Sequence, residues 1–164
     1  MDQTHLHLLI THLPIFGSLL GTLVLGYAMW KKSNTTIIAA YYVLIISALG
    51  AGIAYITGEG AEETVENIQG VSENIIEQHA DFAVYALIAL IVTGVSSLLG
   101  IYFKHTKSAF AKPIVSATLF LALVSFGLVA RTGYLGGQIR HTEIASGTTQ
   151  NAGEQGGEGE GDDD

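Results

Sequence analysis

The sequence predicts an all-α protein: a membrane-spanning up-down four-helix bundle with both termini outside and a disordered acidic C-terminal tail. Three observations predict it. Four long apolar stretches, joined by short polar segments, take up most of the 164 residues. Only 13% of the residues are charged, against roughly 25% in an average soluble domain. The charges are also sorted. The lysines (Lys31, Lys32, Lys104, Lys107, Lys112) sit in the connections after the first and third stretches, while the 15 acids lie at the N-terminus, around the second connection or after the fourth stretch. Cytoplasmic loops retain Lys and Arg, so this pattern places two basic loops inside.

The first span runs over residues 7–30, the second over 37–57, the third over 82–103 and the fourth over 113–138. Each meets the ~20 residues needed to cross a ~30 Å hydrocarbon core. In lipid the backbone must satisfy its own hydrogen bonds, so each span is a helix. Pro14 lies inside the first, leaves the Ile10 carbonyl without its helical donor and predicts a kink. Trp30 and Tyr102 mark the inner ends, where amphipathic rings suit the headgroup level. Gly17 with Gly21, and Ala48 with Gly52, are small-residue pairs suited to close helix packing. The connection from Gly58 to Gln78 is acidic, and Ser72 followed by Glu73 can open a helix that continues into the third span, with Ile75 and Ile76 on its apolar side. Pro113 falls at a helix start, where its missing N–H costs little. The inner connections are short, so neighbouring helices are antiparallel. Residues 1–141 form the transmembrane domain and residues 142–164 the acidic tail, which lacks apolar periodicity. The start MDQTH has no basic n-region, so the first stretch reads as a retained helix.

The same sorting gathers His5, His7, His12, His79 and His141 at the outer face, with His105 left among the lysines. At 1.5 Å per residue from the inner ends, His12 and Arg131 lie about 25–27 Å up, His7 and His79 about 33–36 Å, and His141 about 42 Å. His7 and His12 are about 140° apart around an ideal helix, so both face the bundle only if Pro14 distorts the turn. Polar residues within a span are costly and mark function by default. Arg131 either snorkels outward or pairs with Glu59, Glu62, Glu63 or a ligand carboxylate.

Neutral imidazole is the commonest metal ligand, and histidines on facing helices can hold a haem iron from both sides. One cluster at one face allows a single haem b, with His7, His12, His79 and His141 as candidate ligands and Arg131 or Arg140 for the propionates. The favoured pair is one histidine of the first helix with His79, which are diagonal in an up-down bundle. The alternative is a zinc, copper or non-haem iron site built from the same histidines and Glu62 with its neighbours. A third reading is a structural subunit of a larger membrane complex, its histidines only capping helices. The chain has no cysteine, which excludes disulfides, thioether-attached haem and cysteine-ligated clusters. No HExxH, paired ExxH or P-loop motif supports an enzyme. The net charge of -8 argues against nucleic acid and favours cations or a basic soluble partner.

HLLITHLPI (His7 to Ile15) resembles the HPxxVHFPI opening of the DUF2231 membrane family, with Leu8 where that pattern often has proline. HADFAVYALIAL (His79 to Leu90) is similar to that family's third helix, and RTGYLGGQIRHTE (Arg131 to Glu143) resembles its closing TGYLGGxLVYxHG segment. The resemblance covers residues 5–143 and matches it at His7, His12, His79, Arg131 and His141. It implies a four-helix membrane protein of the kind joined to cytochrome c-like or Rieske-type domains, and hence electron transfer. Together these expectations describe a haem b-binding electron-transfer protein of a bacterial inner membrane. Its termini would be periplasmic and its partners the bilayer, a basic soluble carrier or other membrane subunits.

Overall fold

The computed structural model describes residues 3–65 and 72–140. These are entirely helical apart from short turns: α1 (Gln3–Ile10), α2 (His12–Trp30), α3 (Asn34–Val65), α4 (Glu73–His105) and α5 (Ala111–Arg140). Four helical segments, α1 with α2 and then α3, α4 and α5, are long and apolar enough to cross a membrane. All four segments outrun the apolar stretches they contain.

The break between α1 and α2 falls at Thr11, one turn before Pro14. The Thr11 amide still bonds His7 O at 3.0 Å and the Ile15 amide bonds Thr11 O at 3.3 Å, but proline offers no N–H to Ile10 O. Ser72 precedes α4 with extended backbone (φ -88°, ψ 118°). Its carbonyl accepts the Ile75 and Ile76 amides, and Ile76 is buried, as the apolar side of that turn predicts.

α2 and α3 close on each other through the Lys31–Ser33 turn, and α4 and α5 through the 106–110 turn. α3 also packs on α4, and α2 on α5, so the helices form a ring in which α2 and α4 are diagonal. Both turns lie at one end, called here the lysine end; His7 and His79 lie at the other.

The interior mixes large apolar residues, among them Leu25, Leu44 and Leu90, with many hydroxylated ones. Ser18, Ser47, Ser97, Thr93, Thr118 and Ser125 are fully buried, while Leu20, Leu49, Leu98 and Phe120 face outward. That inversion of the soluble pattern fits a lipid bilayer, where the surroundings are as apolar as leucine and close packing with interhelical hydrogen bonds holds helices together. The Ser96 and Thr118 hydroxyls bond at 2.7 Å and those of Thr93 and Ser125 at 2.9 Å, tying α4 to α5. Between α2 and α3, a Cβ at Gly17 would lie 2.8 Å from Ser47 Cβ, and one at Gly21 2.6 Å from Leu44 Cδ2. The second expected pair divides: Ala48 packs against Gly94, whereas Gly52 has open space beside it. Periodicity alone does not tell a packing face from a lipid face when both are apolar.

Candidate functional site

His7 reaches from α1 to α3. Its Nδ1–H donates to Ala54 O at 2.9 Å, with Thr57 Oγ1 at 3.3 Å as a second acceptor. One turn on, Gly58 lies beside the ring: a Cβ there would make an ordinary contact with His7 Cε1 at 3.5 Å. His79 reaches from α4 to α5 in the same way. Its Nδ1–H donates to Thr132 O at 2.9 Å, and a Cβ at Gly136 would lie 3.1 Å from His79 Cε1. Both rings are half-buried and belong to diagonal segments.

The carbonyl partners decide the tautomer. A main-chain carbonyl only accepts, so each neutral ring carries its proton on Nδ1 and its lone pair on Nε2. Metal-ligating histidines are held in this way, one ring nitrogen donating to a carbonyl and the other facing the metal. The floor of the site is apolar: Ala51, Ala86, Leu90 and Val129 are buried there, with Ile15 and Leu87 packed against them.

The other candidates go elsewhere. His12 is exposed; its Nδ1 bonds Leu8 O of the preceding turn at 2.8 Å and its ring stacks on Phe16. The break at Thr11 does not bring His7 and His12 onto one face. Arg131 is exposed and sits over the rings of Phe82 and Tyr134, each at 5.5 Å. Arginine held between two aromatic faces is the snorkelling outcome, not a buried ion pair. His5 is exposed on α1 and Glu59 on α3. His141 and the side chains of Glu62, Glu63 and Arg140 lie outside the described residues. Among the described residues, no group of three or more His, Cys, Asp or Glu side chains could hold a metal ion.

The sequence reading missed the carbonyls of Ala54 and Thr132 and the role of Gly58. A main-chain oxygen has no residue type, so only the spacing from a glycine hints at it. Paired glycines near the end of a helix serve either termination or close approach; α5 continues to Arg140, and Gly136 is the one against which His79 lies, while Gly137 has open space.

No family model, curated protein or solved structure matches this chain.

Proposed function

We propose that this protein is a haem b-binding membrane electron-transfer protein, with its site at the outer face and His7 and His79 as the residues that would hold the haem. One observation carries the reading. Two imidazoles on diagonal segments each give Nδ1–H to a main-chain carbonyl of the neighbouring helix, which leaves each Nε2 lone pair available to a ligand. Two nitrogens from opposite sides satisfy a haem iron, whose porphyrin supplies the other four. A non-haem site takes three or more protein ligands, and the described residues offer no such group. Glycine beside each ring and an apolar floor suit a flat, apolar ligand.

When bound, a haem would supply one-electron transfer between its ferrous and ferric states. The chain's own residues do the rest. Ala54 O and Thr132 O orient the rings and make Nε2 more basic. Ile15, Ala51, Ala86 and Val129 exclude water beneath them. Arg131, exposed at the same end, or Arg140 would balance the propionates at the water-facing edge. The resemblance to a family found beside cytochrome c-like and Rieske-type domains supports the same role. The lysine turns face the cytoplasm and the histidines face out, so the acidic segments on that side would receive a basic soluble carrier.

The test is the visible spectrum of the detergent-purified protein, oxidised and then dithionite-reduced. A Soret band with sharp reduced α and β bands is expected, lost in His7→Ala and His79→Ala and kept in His12→Ala. A featureless wild-type spectrum, with no band after haemin is added, overturns the reading and leaves the histidines as ties between helices.

A further inference from the structure

The two histidines are alike beyond their contacts. The step that takes His7 to His79 also takes the buried residues of α2 as far as Leu25 to buried residues of α4: Pro14 to Ala86, Ser18 to Leu90, Gly21 to Thr93, Thr22 to Gly94 and Leu25 to Ser97. The step that takes the Ala54 carbonyl to the Thr132 carbonyl also takes Gly58 to Gly136. It carries buried Ile37, Leu44, Ser47 and Ala51 to buried Val115, Ala122, Ser125 and Val129. A shared phase of inward faces accounts for part of this, since any bundle helix shows its core at helical spacing. It does not account for a histidine, its carbonyl acceptor and a glycine one turn past that acceptor recurring together.

The turns at the lysine end recur as well. Lys32 and Lys107 are the described non-glycine residues with positive φ, at 54° and 52°. Around each runs the same pair of hydrogen bonds: Lys32 N to Met29 O with Ser33 N to Ala28 O, and Lys107 N to Lys104 O with Ser108 N to Phe103 O. This is the Schellman arrangement, with lysine where glycine is usual. Tyr27, Lys32 and Ser33 recur as Tyr102, Lys107 and Ser108. The step is 72 residues in the first helix of each pair, 75 at the turn and 78 in the second helix. Three residues are therefore added on either side of the second turn. They lengthen that hairpin by about 4.5 Å at 1.5 Å per residue, at the lysine end alone, and leave the histidine end in register.

We infer that the chain is a tandem repeat of one helical hairpin, related by a pseudo-twofold axis along the bundle, and that His7 and His79 are equivalent half-sites sharing one ligand on that axis. His12, Arg131 and the break at Thr11 have no counterparts (Val84, Ile53 and Ala83 stand there) and belong to one hairpin's surface. A ligand on such an axis has two like faces with one coordinating position on each, as a metalloporphyrin has. That identity rests on the haem reading; the repeat does not.

Nitrogen NMR of the full-length, 15N-histidine-labelled protein in detergent separates the two. Without ligand, His7 and His79 should both be in the Nδ1–H tautomer. Gly58→Ala should move the His7 signals alone and Gly136→Ala the His79 signals alone, the latter more because its Cβ meets the ring more closely. Haemin, added to one equivalent, should shift or broaden both rings in parallel and spare His12. His7→Ala and His79→Ala should each turn the low-spin haemin complex high-spin and weaken it to within about threefold of one another. Different tautomers for His7 and His79, or haemin perturbing one ring only, would overturn the equivalence. Matching tautomers and paired glycine effects with no response to haemin would keep the repeat and overturn haem as its ligand.

Discussion

At the residue scale, the site depends on which nitrogen of each ring carries the proton. Nδ1–H bonded to a carbonyl fixes the ring plane and presents Nε2, and the absent side chain at Gly136 lets the ring occupy that place. Gly136→Val should cost at least tenfold in haemin affinity, read by Soret titration, while Gly137→Val, beside open space, should cost little. Two other residues pay in stability for their positions. Lys32 and Lys107 sit in the left-handed region, which disfavours a side-chain-bearing residue by about 1–2 kcal/mol. Lys32→Gly should therefore stabilise the bundle by up to about 1 kcal/mol in a denaturant titration, part of the gain being lost to the freer unfolded chain. Tyr41 is fully buried against Gly100, and its hydroxyl has no hydrogen-bond partner among the described residues; nearby Thr118 gives its hydrogen bond to Ile114 O. A buried polar group left unsatisfied costs about 1–3 kcal/mol. Tyr41→Phe should leave thermal stability unchanged or raised, and a clear fall would show that the hydroxyl has a partner in the membrane.

At the element scale, the helices are held by close approach at small residues and by hydroxyl pairs. Gly21→Leu would drive a side chain into Leu44, and overpacking of this kind costs about 1–3 kcal/mol. The expected result is a bundle that unfolds earlier in denaturant, whereas Gly52→Leu, beside open space, should do no such damage. Sequence reading reached the first pair, because glycine four residues apart on an apolar helix has few other uses. It did not separate Gly52 from Gly21, since lipid and protein are both apolar neighbours. The start of α4 at Ser72–Glu73 was legible from local capping chemistry. The break at Thr11 was legible in kind from Pro14, but its effect on His12 was not. Which way each half of a broken helix faces depends on what it packs against.

At the scale of the whole molecule, the sorted charges predict that both hairpin turns are cytoplasmic. The natural absence of cysteine makes this easy to examine. A single cysteine placed at Thr4 or Ser72 should react with a membrane-impermeant maleimide in intact cells, and one at Ser33 or Ser108 only after permeabilisation. The opposite pattern would put the histidines inside and remove an external carrier as the partner. Two like hairpins, each beginning and ending at the histidine end, also explain why the site lies there and not at mid-depth. That end is where the hairpins keep a common register; the lysine end differs by nearly a turn.

By itself the sequence determined the helical class, the four spans and the sorting of charge, because these follow from local chemistry: apolar length, capping residues and the cost of moving lysine across a bilayer. It also narrowed the candidate site to a few histidines at one end. Only the tertiary structure decided that His7 and His79 each reach a main-chain carbonyl of the neighbouring helix while His12 and Arg131 turn outward. That choice depends on the rotation of each helix against its neighbours and on main-chain carbonyls, which every residue carries and no residue type marks. The repeat was hidden for the same reason. Its two halves share positions in space and a few residues at the site and the turns, while their lipid-facing and packing residues have been free to differ.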